Sequence, residues 1–362
     1  MTEPLMIFTG RASYYLALKI CKALQRFPGM QQVELYEPAV VRFDNDNLKV
    51  RIKQSVRGAD VFVVQTSACS WHASLGVNPE RIEPEEAAKL TLSENIMELL
   101  ILIDALRGAS AGRITVVTPY YPYVRSDKKD EPRISITARL MANLLREAGA
   151  DRVLTVNLHA LQIQGFLPMP CDQLDANPVI AHYFQKHYDM SNFGVLATDA
   201  GGVKYATIYA EILKVPLAIC DKRRWGDKED PDVLNVIGGD QIRGRKVAIF
   251  DDEILTGGTM CRAMGALREK FDLDVSYVGC VHGVLGQGSI ERILGAGVEC
   301  IVTTDTLPTP KGNCGLHVVS TAPLLAAAIR NIHTNQSVTQ IFTQPDTLVG
   351  PLQGALWPED EE

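Results

Sequence analysis

Val247-Ala248-Ile249-Phe250-Asp251-Asp252-Glu253-Ile254-Leu255-Thr256-Gly257-Gly258-Thr259 passes from an apolar run through three acids to a turn of small residues. The apolar run reads as a buried strand. Beyond the turn, Met260, Ala263, Met264 and Leu267 recur at helical spacing. Strand, acids, small-residue turn and helix start together describe a phosphate cradle. Glycines let the backbone close around an anion, and free N–H groups at a helix start favour negative charge. The acids are poor phosphate ligands and suit sugar hydroxyls or a metal. A phosphate and a polyol in one loop suggest a sugar phosphate.

Working outward, apolar strand-like runs alternate with helical patterns along the whole chain. Strands are expected at Met6–Phe8, Val61–Gln65, Ile114–Thr118, Val153–Val156, Val195–Ala197, Pro216–Ile219, Val275–Cys280 and Cys300–Thr303. Helices are expected at Ala12–Leu24, Asn95–Leu106, Ser135–Glu147, Ala206–Leu213 and Ala322–Ile332. Continuous apolar strands joined by helices imply α/β architecture, with mainly parallel sheets flanked by helices. The pattern occurs twice, on either side of a Pro-rich stretch near 167–178. The expected division is an N-terminal domain over 1–175, a C-terminal domain over 176–333 and an acidic tail over 334–362. The irregular stretch 69–91 reads as an insertion or a functional loop.

Bulk properties narrow the function. The chain has 362 residues, 46% of them hydrophobic, enough for two cores. A net charge of −7 argues against general nucleic-acid binding. No apolar run is long enough for a membrane span, and no basic-then-apolar leader opens the sequence. The eight cysteines form no CxxC pair. They read as reduced, buried cysteines of a cytoplasmic protein, not as a zinc site or a disulfide framework.

Ligands of parallel sheets gather at the carboxyl ends of strands, and four further constellations sit there. Thr198-Asp199-Ala200-Gly201-Gly202 allows close backbone approach, and Asp199 suits a hard cation or a plain turn. Tyr120 to Arg133 carries aromatics for a base and cations for phosphates, including Arg125 and Lys129; a solvated charged loop is the alternative. His159 follows a strand and suits a metal, a phosphate or a structural role. Asp221-Lys222-Arg223-Arg224 reads as a basic loop able to close over a transferring phosphoryl group, or as a surface charge run.

The order and content of these motifs resemble the ribose-phosphate pyrophosphokinase (phosphoribosyl pyrophosphate synthetase) family over nearly the whole chain. The resemblance also rests on Phe8-Thr9-Gly10, Ser55-Val56-Arg57-Gly58-Ala59-Asp60, Asn95-Ile96-Met97-Glu98-Leu99, Gln162-Ile163-Gln164-Gly165-Phe166 and Val302-Thr303-Thr304-Asp305. It implies two phosphoribosyltransferase-type domains with the active site at their junction. It implies transfer of the β,γ-diphosphoryl group of ATP to the C1 hydroxyl of ribose 5-phosphate, with Mg2+ required. By resemblance, Thr256, Gly257, Gly258 and Thr259 cradle the 5-phosphate, and Asp251 and Asp252 hold ribose hydroxyls and metal. His159 and Asp199 contact magnesium–ATP. Arg125, Ser126, Asp127 and Lys129 form the nucleotide loop, and Lys222 and Arg224 belong to a mobile catalytic loop. Phe43, Asn45 and Asn47 match an adenine loop that the family supplies from a neighbouring subunit. That implies a homo-oligomer, a hexamer or related assembly, with no nucleic-acid or membrane partner.

The sequence departs from the family pattern at several positions. Asn45 and Asn47 stand where carboxylates are usual, Ser126 replaces a Gln, Asn157 an Asp, and Leu255 an acid. Two other readings stand beside the enzymatic one. One is a catalytically weak regulatory homologue, which the retained Asp251, Asp252, Lys222, Arg224 and His159 oppose. The other is a phosphoribosyltransferase, which the nucleotide loop opposes.

Overall fold

The computed structural model describes residues 3–67, 74–82, 90–199, 201–223, 232–310 and 314–343. They form two compact units. The first comprises the described residues of Met1–Asp175, Thr306–Pro310 and Ser320–Glu362; the second comprises those of Ala176–Asp305 and Lys311–Val319.

In the first unit, β1 (Leu5–Thr9), β2 (Leu35–Tyr36), β5 (Asp60–Val64), β6 (Arg113–Val117), β7 (Arg152–Val156) and β8 (Cys171–Leu174) form one sheet. Its order is β2-β1-β5-β6-β7-β8, parallel throughout. Helices α1 (Tyr14–Leu24), α2 (Leu92–Gly108) and α3 (Thr137–Ala148) belong to it. All five residues of β5 are buried, as a strand covered on both faces requires. The start of α2 is fixed by a capping box, in which Thr91 and Glu94 each bond the other's backbone. A separate antiparallel hairpin, β3 (Ala39–Arg42) and β4 (Leu48–Arg51), packs against α2 through β4.

The second unit contains helices α4 (Asn177–His187), α5 (Val203–Leu213), α6 (Gly258–Phe271) and α7 (Ser289–Gly295). Its strands are β9 (Phe193–Ala197), β10 (Leu217–Arg223), β11 (Asp232–Ile237), β12 (Lys246–Ile254), β13 (Val275–Gly283), β14 (Cys300–Thr304) and β15 (Leu316–Val319). The order is β11-β10-β9-β12-β13-β14-β15, with only β11 antiparallel. Part of its core is aromatic. Tyr209 stacks on Phe250 at 3.8 Å, and Phe184 meets Phe250 edge-on at 5.2 Å.

The chain then returns. Helix α8 (Ala322–His333) packs against α1 in the first unit. Reading in chain order assigns this helix to the C-terminal half; its packing partners assign it to the first unit. The buried Asp60 carboxylate binds it there. Arg113 donates to Asp60 at 2.6 Å and to the Ile332 carbonyl at 3.0 Å, and His333 Nδ1 lies 2.8 Å from Asp60.

The expected strands and helices are all present with small shifts of boundary. One shift matters: β12 does not end at Phe250. Parallel pairing continues through Glu253 with His282 and Ile254 with Gly283, so the three acids belong to the strand. The Pro-rich stretch is not plain linker either, because β8 and the start of α4 occupy it.

Burial alone would raise the Asp60 pKa. Hydrogen bonds from His333 and Arg113 outweigh that and hold it below the ordinary aspartate range. A depressed carboxyl stabilises the fold above its unfolded pKa of ~3.9, and the effect is lost as pH falls through the folded value. Asp60→Ala leaves Arg113 and His333 without their buried acceptor. It should cost about 3–5 kcal/mol near pH 7. The gap between wild type and variant should narrow as pH falls below ~4 and through the folded value, as measured by denaturant unfolding across that range; a gap independent of pH would contradict the ion-pair role.

Candidate active site

Connections in the second sheet leave β9 in opposite directions. From β9 the chain crosses through α5 to β10 on one side, then returns to enter β12 on the other. The crevice between β9 and β12 is therefore a topological switch point, where ligands of open parallel sheets bind. The segments after β9, after β10 and at the end of β12 share this edge. They bring Asp199, Lys222 and the Asp251–Thr259 segment to one end of the unit.

The acids are packed tightly. Asp252 and Glu253 are buried, and Asp251 is half-buried. The Asp252 amide donates to Asp251 Oδ1 at 2.9 Å, and Tyr205 on α5 hydrogen-bonds to Asp252. Burial, then the hydrogen bond and charge of Asp252, with a smaller push from Asp199, raise the Asp251 carboxyl to about 8. Near neutrality the Asp251–Asp252 pair therefore holds a proton. Burial and the same carboxylates push the Tyr205 phenol up, so it stays a hydrogen-bond donor.

The turn beside the acids is open and polar. Thr256 and Thr259 are exposed at the start of the 14-residue α6. Gly257 takes φ +67°, and a Cβ there would lie 2.7 Å from the Ile293 side chain, so only glycine fits. The turn is seated on α7. Arg292 donates to the Thr256 carbonyl at 2.7 Å, while Leu285 and Gly286 amides donate to Ile254 and Leu255 carbonyls. Arg262 Nη2 reaches Thr259 Oγ1 at 3.4 Å. Leu255, standing in place of an acid, presents an exposed apolar side chain. At the neighbouring strand end, Asp199 accepts from the Gly202 amide at 2.9 Å just before α5.

The backbone of Lys222 lies in β10 at an irregularity of its pairing with β11. Arg224 lies outside the described residues.

In the first unit, adjacent parallel strands β6 and β7 bring the 120–133 loop and His159 to the same sheet edge. Gln162 donates to Asp127 at 2.7 Å and ties the two segments together. Asp127 is buried by this bond and acts as a brace. Ser126 is also internal to the loop: its hydroxyl donates to the Ser135 carbonyl and accepts the Thr137 amide at the start of α3. Arg125, Lys129 and His159 are exposed. Asn157 is buried and donates to Asp175 at 3.0 Å; an aspartate there would set two carboxylates face to face.

Phe43, Asn45 and Asn47 occupy the tip of the β3–β4 hairpin. Phe43 is 48% exposed. Asn45 Oδ1 accepts the Asn47 amide at 3.3 Å, and the Phe43 amide bonds the Asn47 carbonyl, which folds the tip on itself. Arg42 pins the hairpin to α2 through Glu94 at 2.9 Å.

Among the described residues, no group of three or more His, Cys, Asp or Glu side chains is arranged to hold a metal. Magnesium usually takes only one or two protein carboxylates and completes its shell with water and substrate phosphates. Oxygen donors crowded enough to retain a proton, as Asp251 and Asp252 are, fit that demand. Arg292 and Tyr205 were not singled out by sequence reading. Both reach the site from other elements, and neither spacing nor composition marks them.

These two parallel sheets, the second with an acidic strand end and a Gly-Gly turn at its switch point, define a phosphoribosyltransferase-type protein. Residues 172–285 match the phosphoribosyl transferase domain, and residues 5–149 match the N-terminal domain of ribose phosphate pyrophosphokinase. The chain is 41% identical over 348 residues to a ribose-phosphate pyrophosphokinase of Deinococcus radiodurans, covering 94% of this chain and 98% of that one. It is 40% identical over 340 residues to one of Agrobacterium fabrum, covering 93% and 99%. A crystal structure of phosphoribosylpyrophosphate synthetase from Mycobacterium smegmatis superposes with a TM-score of 0.77 at 36% identity, over 92% of this chain and all of that one. The chain belongs to the ribose-phosphate pyrophosphokinase family.

Two outcomes follow from the crevice. Arg292→Ala frees the Thr256 carbonyl from its clamp and should weaken binding of ribose 5-phosphate about tenfold, as expected for a lost charge-assisted hydrogen bond. Unchanged affinity by calorimetry would remove Arg292 from the site. The raised Asp251 pKa means the metal-free folded state binds more protons than the unfolded one between pH ~4 and 8, so this group's contribution to stability falls as pH rises through that window. Asp251→Asn should flatten that part of the slope and raise the melting temperature at pH 8.5. A variant with the wild-type pH slope would show that the pair does not share a proton.

Proposed function

We propose that this protein transfers the β,γ-diphosphoryl group of ATP to the C1 hydroxyl of ribose 5-phosphate, giving phosphoribosyl pyrophosphate and AMP. The observation that carries this reading is the Asp251–Asp252 pair beside the Thr256–Thr259 turn at the start of α6. The turn supplies N–H groups and hydroxyls for the 5-phosphate. The carboxylates accept hydrogen bonds from ribose hydroxyls and so fix the sugar.

The C1 oxygen attacks the β-phosphorus, and the bond from that phosphorus to the α,β-bridging oxygen breaks, releasing AMP. Little covalent work falls to the protein. Catalysis of this kind rests on alignment and on stabilising charge. Arg125 and Lys129 offer exposed cations to the triphosphate. Phe43 offers a ring for the adenine, supplied by a neighbouring copy in a homo-oligomer, a hexamer or related assembly. Lys222 and Arg224 stabilise charge on the transferring group. Ser126 and Asp127 shape the nucleotide loop from within, and Asn45 plays the same part in the Phe43 hairpin. Asn47 lies at the hairpin tip beside the adenine ring.

Mg2+ suits Asp251, Asp252 and Asp199 with substrate oxygens, and His159 lies on the nucleotide side. When bound, the ion neutralises phosphate charge. A cytoplasmic setting agrees with ATP as substrate and with buried thiols at Cys21, Cys220, Cys280 and Cys300. No helix among the described residues is long and apolar enough to cross a membrane.

A phosphorus NMR time course with ATP, ribose 5-phosphate and magnesium should show AMP and a C1 diphosphate appearing together. Absence of both would exclude the enzymatic reading. In the same assay Lys222→Ala should lower kcat about 100-fold with little change in KM, because its charge is needed in the transition state.

A further inference from the structure

The two sheets match strand for strand: β2-β1-β5-β6-β7-β8 in the first unit and β10-β9-β12-β13-β14-β15 in the second. In the first sheet the chain also leaves β1 for β2 on one side and later enters β5 on the other. The first unit therefore has its own switch point, between β1 and β5, equivalent to the crevice that holds Asp251 and Thr256 in the second. A cavity of about 180 Å³ opens at the carboxyl end of β1 there.

Its walls come from the β1–α1 turn, the approach to β3, and residues 77–82 of the irregular stretch after β5. That stretch is firmly seated. A Cβ on Gly76 would lie 2.0 Å from the Ala12 carbonyl oxygen and 2.9 Å from Pro308, so backbone rests directly on the β1–α1 turn. The β1–α1 turn is itself held from β5: the Thr66 amide donates to Ser13 Oγ at 2.8 Å, and the Thr66 hydroxyl donates to the Thr306 carbonyl at 2.7 Å.

The cavity is not a second phosphate cradle. The position an anion would take beside the β1–α1 turn is filled by a protein carboxylate. Glu98 of α2, fully buried, accepts the Arg11 backbone amide and Arg11 Nε, each at 2.6 Å. What remains is a pair of opposite charges held loosely. Arg81 Nε lies 3.4 Å from Glu37 Oε1, and Asn78 Nδ2 lies 3.5 Å from the same oxygen. Tight charge-assisted bonds run about 2.7–2.9 Å. Val40, Val77 and Ile82 supply an apolar wall. A dry cavity of ~150 Å³ accommodates benzene, so this space admits a molecule of comparable size.

We propose that this cavity binds a small aliphatic α-amino acid, with its ammonium on Glu37, its carboxylate on Arg81 and its side chain against Val40, Val77 and Ile82. Opposite charges, small volume and one apolar wall match a zwitterion better than a polyol or a free phosphate. The ligand would bear on the hairpin that carries Phe43, because Glu37 lies two residues before β3. The proposal stands on the geometry of the first unit and does not depend on the reaction assigned to the second.

Isothermal titration of the full chain with L-alanine, L-serine and L-valine tests it, with ribose and inorganic phosphate as controls. At least one amino acid should bind with a dissociation constant at or below the millimolar range. Glu37→Gln and Arg81→Ala should each weaken it about tenfold or more. Thermal unfolding of both variants should match wild type, which separates a lost ligand contact from a lost fold. AMP formation, measured in parallel, reports the reaction independently. No heat with any of the three amino acids, or binding indifferent to both substitutions, would overturn the proposal. So would ribose or phosphate binding here in their place.

Discussion

Parallel pairing of β12 between β9 and β13 is the constraint on which the site depends. A parallel strand cannot return by a tight turn, so each connection crosses over and every carboxyl end falls on the same edge. Segments distant in sequence, those carrying Asp199, Lys222 and Asp251, come to one edge because their strands are neighbours. Extending β12 through Ile254 carries its acids into the covered part of the sheet. The sheet thus sets both the position of the carboxylates and their environment.

That environment sets a conflict within one loop. The turn at the start of α6 favours anions, while Asp251 and Asp252 disfavour them. The structure separates the two by only a few residues but gives them different surroundings. The acids are buried in the strand and share a proton; Thr256 and Thr259 stand in solvent at the helix start. A pair carrying one negative charge repels an arriving phosphate less than two full charges would. Arg292 binds the turn's Thr256 carbonyl at 2.7 Å and sets a cation beside it. A carbonyl directed at a phosphate would repel it, so a clamp on that oxygen serves the cradle without touching the ligand.

Much of this was legible in the sequence. Apolar runs located nine of the main strands, and the sequence of acids, small residues and helical spacing located the turn after β12. Pattern reading fails where structure is set by partners. β2, β8 and β15 are short and only partly buried, so they carry weak periodicity and depend on their neighbours for pairing. The resemblance places Ser126 and Asp127 in the nucleotide loop, and their hydrogen bonds within that loop could not be read from sequence. The end of β12 was misplaced because acids usually terminate a buried strand, and here the Tyr205 hydroxyl and a shared proton make their burial tolerable.

The same reasoning explains why the two sheets, alike in order, differ in chemistry. At the first switch point an internal carboxylate, Glu98, satisfies the β1–α1 turn and makes a charge-assisted bond to Arg11. Its burial is sustained by that pairing, and the pairing leaves no room for an anion in the turn. Glu98 sits one helical turn from Glu94, which anchors Arg42 of the hairpin, so α2 connects the filled turn to the segment bearing Phe43. In the second sheet the β9–α5 turn is likewise closed by an internal carboxylate, Asp199 on the Gly202 amide, whereas the neighbouring turn after β12 leaves Thr256 and Thr259 exposed. One sheet spends its switch point on internal structure, and the other keeps it open for substrate.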